Sequence, residues 1–225
     1  MTSIRRGLRV AAATAVVAAL ALAGCSSDNS SPTPKKVPDS QQSLTYLPSS
    51  FAVNLNIPAN PAETGVNSVI SQVMEPLVKY DGKKATPNLA TSWSWTTPTT
   101  LQFKLRQGVT FSNGDKFTAN DVKATFDAYT KSNAPAFASQ FAPITQYAAD
   151  DDYTFTITTK QPVGTLVGFL AFVYIADSAH INDSDYWNSP IGTGPFVITD
   201  YVANDHVTMK RPSSPIATLS ALSTP

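Results

Sequence analysis

Two periods of apolar and polar positions alternate along the chain from residue 43 onward. Leu101, Phe103 and Leu105 alternate strictly with Gln102, Lys104 and Arg106, the two-residue period of a strand with one buried face. Tyr153, Phe155 and Ile157 alternate with threonines in the same way, and Asp150-Asp151-Asp152 reads as the turn that enters that strand. Val66, Val69, Ile70, Val73 and Met74 fall instead at helical spacing, with Pro76 ending the helix. Ser112-Asn113-Gly114-Asp115 is a turn; Thr118 then caps a helix through Thr130, with Asp121 as the capping-box acid and Val122, Phe126 and Tyr129 on one face. Leu77 to Tyr80 is a short strand closed by Asp81-Gly82, and Phe196–Val202 with His206–Met209 form a hairpin around Asn204-Asp205. Ser43–Leu47 and Phe51–Leu55 carry β-forming residues and read as strand pieces, while Val163–Phe172, apolar nearly all round, reads as a buried helix. No internal repeat is visible. The interleaving predicts an α/β chain of mixed α+β character.

The N-terminus has a different pattern. Arg5, Arg6 and Arg9 precede an apolar run from Val10 to Gly24, shorter than the ~20 residues a membrane-crossing helix needs. A basic start, a short apolar stretch and small residues at its end mark a secretory signal. The ending Leu22-Ala23-Gly24-Cys25 resembles a bacterial lipobox, in which the cysteine sulfur receives a diacylglycerol and cleavage makes Cys25 the new N-terminus. More than one acyl chain there gives stable anchoring, where one alone is marginal. Ser26 to Gln42 is Ser, Pro and polar residues without apolar periodicity, and reads as a flexible tether. The expectation is a protein that works outside the cytoplasm, anchored to membrane lipid through Cys25.

Composition excludes several classes. The 225 residues are 42% hydrophobic, which fits a buried core, and 14% charged, with 16 Lys+Arg against 16 Asp+Glu. No cationic surplus exists to neutralise phosphates, so nucleic acid is not an expected partner. Removing the first 24 residues takes away three arginines and leaves the chain mildly acidic. A single cysteine excludes an internal disulfide framework and a multi-cysteine zinc site. Two histidines, His180 and His206, and the lack of a Gly-x-Ser-x-Gly elbow argue against a hydrolase. Asp177, His180, Asp183 and Asp185 have the donor types for a divalent ion, but such polar runs are commonly solvated loops, so no metal site and no cofactor is expected.

Four segments in register carry a family resemblance. They are Glu75-Pro76-Leu77-Val78, Pro87-Asn88-Leu89-Ala90-Thr91-Ser92-Trp93, the run from Leu101 to Asp115 continuing into Phe117-Thr118-Ala119-Asn120-Asp121-Val122, and Pro190-Ile191-Gly192-Thr193-Gly194-Pro195-Phe196. Together they resemble family 5 solute-binding proteins, the peptide- and nickel-type receptors of bacterial ABC importers, over about residues 43 to 211. By themselves these motifs read as scaffold, with Trp93, Trp95 and Phe103 as large buried anchors, Gly114 in a tight turn, and Gly192 and Gly194 allowing close backbone approach.

The resemblance implies the N-terminal lobe of a periplasmic-binding-protein-like type II fold. Residues 43–75 and 177–211 would form parts of that first lobe and 76–176 an inserted subdomain. No catalysis is implied; a cleft between two lobes would close on a small solute, most often a peptide, and deliver it to ABC permease subunits. By position Ala62, Glu63, Thr64 and Gly65 correspond to a loop lining the cleft, and Phe137 to an aromatic over the ligand. Glu63 in the cleft would pair with a ligand amine or cation; as a loop carboxylate it would simply be solvated. For Phe137 the alternative is ordinary core packing.

Members of the family are roughly twice this length, beyond what one core supports. After His206–Arg211 they continue with Asn-Pro-x-Tyr-Trp, whereas here Pro212 to Pro225 is a tail without charge or aromatic residue. That break reads as a frameshift or early stop, leaving the second lobe missing, import impaired and an apolar interlobe surface exposed. A rival reading of the short length is a surface lipoprotein that binds another protein through its single lobe, with no transport role.

Overall fold

The computed structural model describes Thr45, residues 50–132 and residues 135–212. The expected signal, Cys25, the tether, most of the Ser43–Leu47 strand piece and the tail beyond Pro212 lie outside them. The chain divides into Met1–Tyr46 and Leu47–Pro225, and the elements below all belong to the second unit.

A four-stranded antiparallel sheet dominates, built from β3 (Ala90–Thr97), β4 (Thr100–Leu105), β5 (Ile144–Asp151) and β6 (Thr154–Thr159) in the order β3-β4-β6-β5. The alternation in β4 and β6 decides which face is covered. Leu101 pairs with Ile157 and Phe103 with Phe155, and all four are fully buried. Over them lies α2 (Ala119–Lys131), its stripe of Val122, Phe126 and Tyr129 turned inward. Phe126 meets Phe155 and Phe141 edge-on, at ring centroids of 5.1 and 5.5 Å. Phe141 comes from α3 (Pro135–Phe141), a helix the sequence pattern did not announce. The capping box of α2 forms as expected: Thr118 Oγ1 accepts from Asn120 N at 3.3 Å, and Asp121 Oδ2 accepts from Thr118 N at 2.7 Å.

A second core gathers around α1 (Thr64–Val73), whose Val66, Ile70 and Val73 pack with Leu55, Ile57, Ala176, Ile181 and Tyr186. Short strands β1 (Val78–Tyr80) and β2 (Ala85–Pro87) form a hairpin whose turn places Gly82 at φ +89°. Strands β7 (Val197–Val202) and β8 (His206–Lys210) form the expected hairpin, with Asn204 at φ 60°.

The loop ahead of β7 clasps the end of α1: Gly194 N donates to Val73 O at 2.8 Å and Phe196 N to Gln72 O at 3.2 Å. A Cβ on Gly194 would lie 2.6 Å from the Val73 carbonyl carbon, and one on Gly192 would collide with the Val73 carbonyl oxygen. Close approach is why these two positions are glycine. Polar side chains stitch the cores together as well. Asp121 Oδ1 accepts from Ser178 N and Thr125 Oγ1 from Ala176 N, both at 2.9 Å.

Four expectations are corrected. Phe51–Leu55 forms no strand: Asn54 Oδ1 accepts from Asn56 N and Asn56 Oδ1 from Ala59 N, local bonds that compete with a ladder. Val163–Phe172 is not one buried helix but a single turn, α4 (Leu166–Phe169), followed by a 3-10 turn (Leu170–Phe172). Gly164 and Gly168 weaken it, only Leu166 and Leu170 are buried, and Phe172 is 52% exposed. Trp95 is 38% exposed and Trp93 half-buried, because β3 is an edge strand with a neighbour on one side only. Asp150 and Asp151 belong to β5 rather than to a turn; the turn is Asp152-Tyr153.

Candidate functional site

An open groove of about 1350 Å³ runs between the start of α1 and aromatic side chains of the sheet-bearing region. On one side Asn67 fixes the entry loop to the first helical turn, its Nδ2 donating to Pro61 O at 2.8 Å and Glu63 O at 2.9 Å. This puts Ala62 and Thr64 on the wall, both exposed, with Ser68 and Ser71 a turn and two turns further on. The opposite side is aromatic. Tyr80 comes from β1, Trp93 from β3, Phe137 from α3, Phe169 from α4 and Phe172 from the 3-10 turn after it.

Phe137 is anchored as it lines the groove. It stacks on Tyr129 at 5.9 Å and 11° and meets Phe169 edge-on at 5.0 Å, so it packs against other rings as well as lining the groove. Tyr174 also lines the groove, and burial raises its hydroxyl pKa above the ordinary tyrosine value.

The other suggested residues separate. Glu63 is absent from the described groove wall; its Oε1 accepts from Val53 N at 3.4 Å, and its charge acts on Tyr201. Gly65 is buried where a Cβ would sit 2.6 Å from the Phe51 carbonyl carbon, so it seats the helix against the preceding loop. Cys25 lies outside the described residues. Lys83, Lys84, Tyr80 and Trp93 were missed as wall residues. Trp93 was visible within a scaffold motif, but nothing in its spacing shows that it stays partly uncovered.

The polar run near His180 gathers differently from its order in sequence. Asp115, Asp177 and His180 bring donor atoms within 4.8 Å of one another, with Asp183 Oδ2 3.0 Å from His180 Nδ1, while Asp185 opens a 3-10 turn elsewhere. Asn113 Nδ2 donates to Asp115 at 2.7 Å and to Asp177 at 2.9 Å, and Ala179 N donates to Asp177 at 3.0 Å. The carboxylates are occupied in tying the 112–115 turn to the 177–183 segment. The hydrogen bond with Asp183 raises the His180 pKa, and burial raises that of Asp177.

Solved structures with this arrangement define the class. The crystal structure of a nickel ABC transporter protein from Bacillus halodurans superposes with a TM-score of 0.61 at 30% identity, over 72% of this chain and 34% of that one. The fold is therefore mixed α/β of the periplasmic-binding-protein kind, present as one lobe or part of a domain. Residues 84–213 match the family described as bacterial extracellular solute-binding proteins, family 5 Middle, and the chain belongs to that family.

Among its relatives, the nickel-binding protein NikA of Staphylococcus aureus is 29% identical over 200 residues, 88% of this chain and 37% of the relative. The di/tripeptide-binding protein 1 of Pseudomonas aeruginosa is 28% identical over 208 residues, 74% of this chain and 39% of that protein. The chain thus spans about a third of the length of the relatives it matches. Among the described residues no helix is long and apolar enough to cross a membrane.

Proposed function

We propose that this chain is the first-lobe part of a solute-binding lipoprotein serving an ABC importer. In this reading it is exported, held outside the cytoplasm by lipid on Cys25, and spaced from the membrane by residues 26–42. It binds peptides or similar small solutes and passes them to a membrane permease; it catalyses nothing. Residues 43–75 with 177–211 make the lobe and 76–176 the inserted subdomain. The division of buried residues into one cluster drawn from 52–74 and 176–186 and another from 77–175 supports that reading.

The observation that carries the function is the groove itself, with a hydroxyl- and amide-bearing helix face opposite an aromatic wall. Its volume is above the ~300–1,000 Å³ of enclosed small-molecule sites, which suits one wall of a larger cleft. The relatives' names supply two cargo classes, nickel and peptides. The described lining offers hydroxyls, carboxamides and aromatic faces, and a first-row cation takes imidazole, thiolate or carboxylate instead, so the organic cargo is the better match.

In this assignment Ala62, Thr64 and Phe137 contact the solute, while Glu63 and Gly65 hold the loop that presents them. Calorimetric titration of the full chain with pooled di- and tripeptides tests it. Saturable binding is expected, weakened about three- to tenfold by Phe172→Ser, a loss typical of an aromatic contact at an exposed position. No binding from the pools, or binding indifferent to Phe172, overturns the reading.

A further inference from the structure

The groove's charge is one-sided. Its only charged lining residues among the described ones are Lys83 and Lys84, both on the β1–β2 turn and both exposed. The one carboxylate in that turn, Asp81, is committed to shaping it, because its Oδ1 accepts from Lys83 N at 2.9 Å and from Lys84 N at 2.8 Å. These backbone bonds, helped by the nearby Lys84 charge, hold the Asp81 pKa below the usual carboxylate range. Neither ammonium group has an acidic partner within 4.0 Å among the described residues.

Tyr80, whose hydroxyl donates to Lys83 O at 3.3 Å, joins this cationic turn directly to the aromatic wall. At the other side of the groove α1 begins without a side-chain cap, and the Glu63 carboxylate at that position offsets the positive potential of the helix end. Glu63, the acid that starts the helix, is outside the wall.

We propose that the groove takes a solute with an apolar body and a carboxylate at one end, with Lys83 and Lys84 seating the carboxylate and the Tyr80–Phe172–Trp93 wall taking the body. This rests on the solute-binding reading above. The apolar body supplies most of the affinity through area buried against the aromatic rings, and the lysines set orientation and selectivity. A carboxylate on two exposed ammonium groups gains a modest attraction that salt screens.

The test pairs pools of short peptides ending in Phe or Leu with the same pools as C-terminal amides, titrated into the full chain. The free acids are expected to bind about three- to tenfold tighter than the amides, with the gap narrowing at 0.5 M salt. In the double variant Lys83→Gln/Lys84→Gln the ratio falls to about one through loss of free-acid affinity, while the melting temperature stays unchanged. A merely structural role for the lysines would move both forms together. Acids and amides binding equally to the unaltered chain overturns the carboxylate assignment alone. If neither pool binds, the solute-binding reading falls and takes this inference with it.

Discussion

Glu75 is a carboxylic acid left only 7% exposed, at the point where the two cores meet. Its Oε2 accepts from Thr193 Oγ1 at 3.0 Å and its backbone oxygen from Ile175 N at 3.0 Å. Burial pushes its pKa up; the Thr193 hydroxyl, the Lys79 and Arg106 charges and the Asn88 amide pull the other way without cancelling it. Close by, Asn88 Oδ1 is buried without a partner among the described residues. An acid whose folded pKa is raised holds its proton more tightly folded than unfolded. Stability is therefore greatest when it is protonated, and falls as pH climbs from the unfolded value of about 4.3 to the folded one. Glu75→Gln keeps the acceptor for Thr193 and removes the buried charge. It should melt higher than the unaltered chain at pH 7, by about 2–4 °C for each kcal/mol relieved, and show no such advantage at pH 4. A melting curve at each pH decides it, and an equal gap at both sinks the idea. Gly192→Ala tests the neighbouring contact: its Cβ collides with the Val73 carbonyl, so a loss of about 3 kcal/mol in denaturant titration is expected.

At the scale of elements, stability concentrates where α2 crosses the sheet. Phe126 touches three aromatic partners and is fully buried, so Phe126→Ala should cost about 3–5 kcal/mol in urea unfolding. Thr118→Ala at the head of the same helix should cost about 1 kcal/mol. These elements were legible because each carries its whole signal locally: strict alternation in β4 and β6, a stripe and a capping box in α2, Asn-Asp between β7 and β8. The illegible ones depend on neighbours. β5 is an edge strand reading Ile-Thr-Gln-Tyr-Ala-Ala-Asp-Asp, half-exposed on both faces, so no alternation marks it. The Val163–Phe172 segment looked buried because a groove wall and a core share the same residue types; only the fold leaves Phe172 facing solvent. For the same reason Ala62, Thr64 and Phe137 were reachable through a family pattern, whereas Lys83 and Lys84 became wall residues only once their turn was placed beside Tyr80.

For the whole molecule the anchoring proposal gives a clear expectation. Expressed in a bacterial host, the chain should sediment with membranes and incorporate labelled palmitate; Cys25→Ser should take up no label and leave the membrane fraction. Release without loss of label, or no label in the unaltered chain, would end that part of the proposal. The clasp of the Gly192–Gly194 loop on α1 also has a bearing on how the chain is made. Glu75 and Thr193 are 118 positions apart, and the Tyr201 hydroxyl reaches back 149 positions to Ala52 O. The four-stranded sheet joins chain neighbours at β3–β4 and β5–β6 and spans 50 to 58 positions only at β4–β6, whereas α1 at first has only Leu55 and Ile57 to pack against. Its apolar stripe waits for the last third of the chain to return. Until then part of that stripe is uncovered, and the interval ends when two glycines close over the helix.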